Sequence, residues 1–384
     1  MHPMVKPALR RAWRSLQRVQ FGVTPAHAVV MSPVAPGTGA LLALLDGTRG
    51  TELLRAEARA LGLPDGHLEA FLGRLAAAGL LADAATGRPG RTGPAAGAVD
   101  TALDPQRADL ASLSVVHREP DRALRTLAAR RALRVQVRGA GRVGATVAAL
   151  LSAAGVGTVE VLDSGRVEPW ETAPGGLPAE AVGERRATAA RRLVGRWARG
   201  STRAGRMDGT TGDGRGEPGL SLVVVTPRDG LGAYVPDPLP AEPWISTGTP
   251  HLYAGVLEAT GTVGPLVLPG GTACARCLQE ESTDRDPVRP RLLAQWRSGA
   301  PHPLPACDLA LATAVAGLAA AHALTFLDGD LPASTGARWE VSLPLLEWRS
   351  ERLRPHPGCP CGAARDREGE CASAAGSAQD TMAG

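Results

Sequence analysis

Residues 133–144 read LRVQVRGAGRVG, and this stretch decides the fold. Its alternating apolar residues predict a strand over Leu133–Arg138, and its glycines predict a turn that opens a helix. Gly139 permits the tight turn, Gly141 lets a phosphate approach the main chain, and Gly144 lets the helix pack closely on the strand. The helix start adds unpaired N–H groups and a positive dipole end. The stretch therefore predicts a nucleotide-binding turn.

Strands and helices continue to alternate after this turn. The predicted elements are a helix over Val143–Ala154, a strand over Thr158–Leu162, a helix over Pro178–Ala198 and a strand over Leu220–Thr226. Further strands are predicted over 243–268, and a buried, Ala-rich helix over Asp308–Leu327. This alternation predicts an α/β fold with right-handed crossovers and a parallel sheet. Asp163 ends the second strand, where its carboxylate would accept hydrogen bonds from ribose; an ordinary strand-end carboxylate is the alternative.

The composition excludes several classes of function. Lys6 is the only lysine among 42 basic residues, which excludes a lysine-containing phosphate loop and a Schiff-base lysine in the body of the protein. A net charge of +4 with scattered arginines disfavours nucleic-acid binding. The N-terminus has no apolar signal segment, and no segment is expected to reach the roughly 18 apolar residues of a membrane span. We therefore predict a cytoplasmic protein with no membrane contact.

Residues 1–82 predict a separate small domain. Two apolar runs at 19–23 and 28–31 predict a β-hairpin, and three helical patterns follow at 38–45, 51–60 and 65–78. The last helix places Leu68, Phe71, Leu72 and Leu75 on one face. This outline is a winged-helix-like α+β domain. We predict a linker over 83–119, the nucleotide-binding domain over 120–362 and a disordered tail over 363–384.

The cysteines occur in pairs that predict a metal site. Cys274 and Cys277 have the two-residue spacing that lets two thiolates converge on one ion, and Cys359 and Cys361 form a second pair. Four thiolates predict a structural Zn²⁺ site; free thiols are the alternative. His356 or Cys371 could replace one ligand, because a one-residue spacing is unusual.

Further runs of sequence resemble the ThiF/MoeB/ubiquitin-activating superfamily over about residues 133–362. They are Ala153-Ala-Gly-Val-Gly-Thr158, Asp163 with Val167-Glu168, Val182-Gly-Glu-Arg-Arg-Ala187, and Gly261-Thr-Val-Gly264 followed by Cys274 and Cys277. The resemblance implies a Rossmann-like domain that binds ATP with Mg²⁺ and adenylates a C-terminal carboxylate. It assigns nucleotide binding to Gly139, Gly141, Gly144 and Asp163. It also implies that Arg186, at a position usually occupied by lysine, contacts phosphate; a solvated helix-start residue is the alternative.

Two departures from the superfamily pattern weaken the case for adenylation. Glu171 and Pro174 stand where the family usually has an asparagine and an arginine finger, and neither would stabilise a transferring phosphoryl group. The Mg²⁺-associated aspartate of the family falls on Arg228 or, with a shift of one residue, on Asp229. Asp229 is the candidate for the catalytic role, with an ordinary turn residue as the alternative. Arg228 could neutralise phosphate but not bind the metal.

Cys307 is a second catalytic candidate. It precedes the predicted helix over Asp308–Leu327, and related sulfur-transfer and ubiquitin-activating enzymes have a reactive cysteine in a comparable region. A helix start would lower the pKa of the thiol. The alternative is a small residue with no chemical role.

The N-terminal residues resemble PqqD and related peptide-recognition domains. The similarity lies in Leu41-Leu-Ala-Leu-Leu-Asp-Gly-Thr-Arg49 and in the helix that ends before Gly79-Leu-Leu81. In such domains a leader peptide adds as a β-strand beside the hairpin. Packing or dimerisation is the alternative role, and whether the nucleotide-binding domain forms a homodimer is left open.

Three functions are compatible with the sequence. The first is an adenylyltransferase that acts on a peptide or small-protein C-terminus, in peptide modification or sulfur transfer. The second is a catalytically degenerate scaffold that delivers a precursor peptide to a separate cyclodehydratase. The third is an NAD- or FAD-dependent oxidoreductase, which the paired cysteines and the Gly261–Pro265 run disfavour.

Overall fold

Two compact units divide the chain, one over Met1–Ala129 and one over Arg130–Gly384. The computed structural model describes residues 1–35, 37–84, 104–198, 219–298 and 304–364. Most of the predicted tail, and residues 85–103 of the predicted linker, lie outside the described residues.

The first unit combines short strands with a bundle of helices. Its elements are β1 (Pro3–Val5), β2 (Arg11–Ser15), β3 (Arg18–Phe21), β4 (Val29–Met31), α1 (Thr38–Leu44), α2 (Thr51–Ala60), α3 (His67–Ala77), β5 (Leu81–Asp83) and α4 (Arg107–Val116), and α5 (Arg122–Arg130) runs to the end of the unit. Strands β2, β3 and β4 form an antiparallel sheet in that order, and β1 pairs with β5.

The core of the first unit follows from its apolar pattern. Val19 and Phe21 of β3 are fully buried and pack with Leu68, Phe71 and Leu75 of α3 in one cluster. The predicted hairpin corresponds to β3 and β4, and the three predicted helices match α1, α2 and α3 to within two residues at each end. Strand β2 was not predicted, because all five of its residues are exposed and it therefore shows no apolar alternation.

Part of the predicted linker is ordered within the first unit. The buried Lys6 donates from Nζ to the carbonyl oxygen of His117 over 2.7 Å. Gly79 leaves room for the following segment, since a Cβ built on it would lie 2.6 Å from Cβ of Arg118. Residues 104–119 therefore contribute the helix α4 and contacts to the first unit rather than a structureless connection.

The second unit is a Rossmann-like α/β domain. Its elements are β6 (Arg134–Arg138), α6 (Arg142–Ala153), β7 (Thr158–Leu162), α7 (Arg186–Trp197), β8 (Leu222–Val225), α8 (Leu231–Tyr234), α9 (Glu242–Ser246), β9 (His251–Leu257), β10 (Thr260–Val267), α10 (Ala275–Arg285), α11 (Arg289–Ser298), α12 (Leu309–Leu327), β11 (Ala337–Ser342) and β12 (Trp348–Arg352). The sheet order is β12-β11-β10-β9-β8-β6-β7. Strands β7, β6, β8 and β9 are parallel, and the remaining pairs are antiparallel.

This strand order positions the site. The chain leaves β6 for β7 on one side and later returns to β8 on the other side of β6. Open α/β sheets bind ligands at such a switch point, beyond the carboxyl ends of the strands. The residues that follow β6, β7 and β8 therefore meet at one edge of the sheet.

Two predicted elements of the second unit begin later than the sequence suggested. The helix predicted from Pro178 begins at Arg186, after a short 3-10 turn over Ala179–Ala181 and a Gly183 with φ of +85°. The strands predicted from residue 243 begin at His251, because Pro243 lies in the first turn of α9, where proline is favoured.

Helix α12 packs against the main sheet. Its buried residues join the large core cluster with the valines of β6 and with Val224 of β8; they are Leu311, Ala312, Val315, Ala316, Ala319, Ala320 and Ala323. By length and composition α12 could cross a membrane, contrary to the expectation that no segment would meet this criterion. A helix that supplies a sheet-facing core passes the same test, and α12 supplies such a face.

Candidate functional site

The glycine turn after β6 is shaped by close packing. Gly139 has φ of +109°, and a Cβ built on it would lie 1.9 Å from the carbonyl oxygen of Thr226. A Cβ on Gly144 would lie 2.0 Å from the carbonyl oxygen of Gly139. Both positions therefore exclude any larger residue. Gly141 differs, because a Cβ there would meet only Arg228, at 3.6 Å from its Cγ.

Asp163 is held at the end of β7 by two donors. Its Oδ2 accepts the N–H of Ala140 over 2.7 Å, and its Oδ1 accepts from Nε of Arg186 over 2.7 Å. The first bond fixes the glycine turn to the neighbouring strand. Both oxygens of the carboxylate predicted to bind ribose are thus engaged within the protein.

Arg186 is buried at the start of α7 and is 7% exposed. Its Nη1 donates to the carbonyl oxygen of Arg166 over 2.6 Å and to Oε2 of Glu171 over 3.1 Å, and its Nη2 donates to the carbonyl oxygen of Ser164 over 2.5 Å. Burial lowers the pKa of Arg186, but the hydrogen bond and charge of Asp163, with Glu171, outweigh it and raise the pKa above its ordinary value. Arg186 is therefore not the solvated residue of the alternative interpretation. Its Nε, Nη1 and Nη2 atoms all donate within the protein, to Asp163, to Glu171 and to the loop after β7.

Glu171 belongs to this network, although the sequence marked it only as a departure from the superfamily pattern. It is 2% exposed, and its Oε2 accepts the N–H of Glu168 over 2.9 Å as well as Arg186. Its Oε1 also lies 3.6 Å from Nη1 of Arg228. The sequence signal that could have indicated its role is a carboxylate at the position where the superfamily usually has an asparagine. The sequence pattern suggests a defect there, whereas in the structure the carboxylate joins two arginines.

Arg228 and Asp229 follow β8 and lie in different surroundings. The Cα of Arg228 would lie 3.8 Å from a Cβ on Gly141, so Arg228 borders the glycine turn. Asp229 is exposed, and its Oδ1 accepts the N–H of Leu231 over 3.2 Å at the start of α8. The structure thus places the arginine, not the candidate catalytic aspartate, beside the turn.

The four paired cysteines converge on one point. The Sγ atom of Cys274 lies 3.8 Å from that of Cys277 and 3.7 Å from that of Cys359, and the Sγ atoms of Cys277 and Cys361 are 3.5 Å apart. Four thiolates at the Zn–S length of a tetrahedral site would be about 3.8 Å apart. The donor set therefore fits Zn²⁺. It is also the only such group of metal-ligating side chains in the part of the chain that the structure describes.

His356 is engaged elsewhere and is not needed as a ligand. Its Nε2 lies 2.9 Å from Oδ2 of Asp284, and its Nδ1 accepts the N–H of Gly358 over 3.1 Å. Cys371, the other alternative ligand, lies outside the described residues.

A groove in the first unit lies beside α3 and the segment that follows β4. It measures about 310 Å³, and its lining includes Pro33, Val34, Thr38, His67, Ala70, Phe71 and Arg74. Positions 67, 70, 71 and 74 form one stripe of α3, at the spacing of a single helix face. His67 is fixed by a 2.9 Å hydrogen bond between its Nε2 and Oγ1 of Thr38.

Comparison with known proteins identifies the family. The model of the family described as "ThiF family" matches residues 120–361, which is more than half of the chain. The chain belongs to the ThiF family. Membership of this family favours the ThiF-type interpretation over an NAD- or FAD-dependent oxidoreductase. No protein of curated function matches the sequence.

Solved structures share the fold of this ThiF-family protein. E. coli MccB in complex with succinimide is 13% identical, with a TM-score of 0.66, and the match covers 94% of this chain and 99% of that chain. E. coli MccB with ATP is 14% identical, with a TM-score of 0.65 and the same coverage. The heterocyclase TruD is 16% identical with a TM-score of 0.57, and the match covers 95% of this chain but 43% of TruD. At these identities the likeness shows the fold alone.

Cys307 lies in surroundings that differ from those expected for a thiol at a helix start. It lies just before α12, where Asp308 caps the helix by accepting the N–H of Leu311 over 2.9 Å. Burial raises the pKa of Cys307, against the opposing charge of Arg142, which donates to its carbonyl oxygen. The direction is opposite to the expected lowering of the pKa, because burial and the charge of Asp308 both raise it.

Proposed function

We propose that this ThiF-family protein binds a peptide substrate through its first unit and presents it to a separate modifying enzyme, while its Rossmann-like domain does not adenylate. The observation that carries the proposal is the closed network around the glycine turn. Asp163, Arg186 and Glu171 pair with one another, so the two side chains expected to contact ribose and phosphate, Asp163 and Arg186, are engaged within the protein.

The groove of the first unit supports peptide binding. Strand β4 is the last strand of the order β2-β3-β4, so one of its sides has no strand partner among the described residues. An extended peptide can pair with such an edge through main-chain hydrogen bonds and place alternate side chains into a neighbouring pocket. The stripe of α3 at Ala70 and Arg74 would line that pocket.

Charge favours an acidic peptide. Residues 1–45 contain no Asp or Glu, and besides the buried Lys6 they carry four exposed arginines, at positions 10, 11, 14 and 18. In addition, the structure describes no carboxylate within ion-pair distance of Arg74 on the groove. A peptide carboxylate beside Arg74 would therefore gain a charge-assisted hydrogen bond.

The ligands bound in the structural neighbours agree with a peptide-handling role. MccB, described as a microcin C7 biosynthetic enzyme, is solved with N-formylated MccA, and E. coli MccB is also solved with AMPCPP and MccA. TruD is a heterocyclase, and this chain corresponds to less than half of it. In this proposal a separate enzyme supplies the chemistry.

The test of peptide binding uses a matched pair of variants in the full chain. A random peptide library displayed on phage is selected on the wild-type protein, and enriched peptides are measured by fluorescence anisotropy. Ala70→Trp fills the groove and should weaken binding by about tenfold or more. Ala76→Trp lies on another, exposed face of α3 and should leave binding unchanged. Equal binding by both variants would refute the groove as the site.

Adenylation is the second candidate function, and the intact glycine turn favours it. In that reaction a peptide carboxylate oxygen attacks the α-phosphorus of ATP, and pyrophosphate leaves. Asp229 would hold Mg²⁺, as the superfamily resemblance implies. Pyrophosphate exchange with a selected peptide tests it: exchange in the wild type that is lost in Asp229→Ala would establish adenylation, whereas no exchange supports the scaffold.

The four cysteines would hold a structural Zn²⁺ and tie the segment around Cys359 to α10. In this proposal the protein acts in the cytoplasm, where ribosomal peptides and nucleotides are both present.

A further inference from the structure

We propose that the glycine turn of this protein binds nucleotide phosphate without Mg²⁺, with the guanidinium of Arg228 in place of the metal ion. This inference rests on the nucleotide-binding part of the fold and is independent of peptide binding by the first unit. It concerns a departure of this chain from the metal-dependent site of its family.

Most of the carboxylates at this edge of the sheet are engaged within the protein and are not free to bind Mg²⁺. Mg²⁺ takes oxygen ligands in near-octahedral geometry, usually one or two carboxylates together with the substrate phosphates. Of the carboxylates that directly follow β7 and β8, Asp163 and Glu171 are buried in ion pairs with Arg186. Glu168 caps the 3-10 turn over Pro169–Glu171, and Asp229 accepts the N–H of Leu231.

Arg228 occupies the place where a positive charge is needed. It borders Gly141, the glycine whose missing side chain leaves the main chain accessible. Its side chain is 32% exposed, and the buried Glu171 holds only one edge of the guanidinium, with 3.6 Å between Nη1 and Oε1. Glu171 thus anchors the side chain, and the remaining N–H groups are available to phosphate oxygens.

The hydrogen-bonded network around Glu171 is consistent with a site in which Arg228 takes the place of Mg²⁺. Glu171 is held by Arg186 and by the N–H of Glu168, so it cannot turn outward to take a metal ion. Buried between two arginines, it instead keeps Arg228 beside the turn. A metal ion next to Arg228 would meet like charge, and a guanidinium supplies forked donors that match phosphate oxygens.

Isothermal titration calorimetry of the full chain with ATP, in EDTA and in excess MgCl₂, tests the inference. Wild-type affinity should be the same in both conditions to within about threefold. Arg228→Asp should lose about tenfold or more of the affinity in EDTA, because a carboxylate then faces the phosphates. Arg185→Asp changes the net charge equally at an exposed position of the α7 start and should retain binding.

Each other outcome overturns the inference. Binding that requires MgCl₂ would show that the site needs the metal ion. No heat in either condition would show that the turn does not bind ATP. Equal affinity of wild type and Arg228→Asp in EDTA would remove Arg228 from the site. Circular dichroism melting of both variants, with Arg228→Gln as a milder change, separates lost binding from lost folding. Peptide binding measured on the same samples tests the proposed function separately.

Discussion

Arg186 donates its Nε–H to Oδ1 of Asp163 over 2.7 Å, and this contact joins the start of α7 to the end of β7. Both side chains are buried, and the same guanidinium also pairs with the buried Glu171. The carboxylate at the end of β7 thus accepts hydrogen bonds from the protein at both of its oxygens. The buried charges beside the glycine turn are therefore paired with one another without a bound ligand.

Arg186→Ala should destabilise the second unit strongly. Removing the arginine takes from two buried carboxylates the cation that they share, which costs about 3–5 kcal/mol. Urea unfolding followed by tryptophan fluorescence measures the change, since all tryptophans except Trp13 belong to the second unit. Arg192→Ala breaks only the exposed pair with Glu184 and should cost less than about 1 kcal/mol. A similar loss in both variants would contradict the role given to the buried network.

Gly144→Ala should disrupt the glycine turn, whereas Gly195→Ala should not. The added methyl at 144 would lie 2.0 Å from the carbonyl oxygen of Gly139, so the turn must shift. Gly195 lies in α7, where an added methyl would have nothing within 4 Å, and alanine there should stabilise by up to about 1 kcal/mol. Thermal unfolding of the two variants gives the comparison. Tolerance of alanine at 144 would show that the turn is looser than described.

Zinc should be bound at one ion per chain. Cys277→Ser and Cys361→Ser should lose the ion and lower the unfolding temperature, because each removes one of four ligands. Cys307→Ser is the matched control, since Cys307 is not part of the cluster. Inductively coupled plasma mass spectrometry of the dialysed proteins gives the ion content. Full zinc content in Cys361→Ser would exclude Cys361 as a ligand.

Stability should fall with decreasing pH through His251. Burial lowers its pKa to about 4, despite an opposing hydrogen bond to the carbonyl of Thr249. Because the unfolded chain takes up the proton near pH 6.5 and the folded chain does not, stability is present above about pH 6.5 and decreases between there and pH 4. The lost amount is on the order of 3 kcal/mol.

His251→Phe isolates this contribution. The substitution keeps a ring against Trp244 and Tyr253, whose centroids lie 5.2 Å and 5.5 Å from the histidine ring. Urea unfolding at several pH values should show a steeper loss for the wild type than for the variant. Parallel pH profiles would mean that His251 takes up its proton equally in both states.

Residue patterns were sufficient for the fold and for the cysteine cluster, but not for the ion-pair network. The alternation around β6 and the glycine spacing predicted the α/β domain because burial and close packing restrict those positions to a few residue types. Pairing of Arg186 with Glu171 joins residues on different segments, so no local period reveals it. Strand β2 was also missed, because its residues are all exposed and the sequence therefore shows no alternation of buried and exposed positions there.

Hydrogen–deuterium exchange of the full chain with a selected peptide tests the central claim most directly. Our account predicts slower exchange in β4 over Val29–Met31 and along α3 over His67–Ala77, because the peptide adds to the open strand edge and covers the helix stripe. It also predicts no change across Gly139–Gly144 when peptide is added alone. Protection confined to the second unit, with β4 and α3 unaffected, would contradict it.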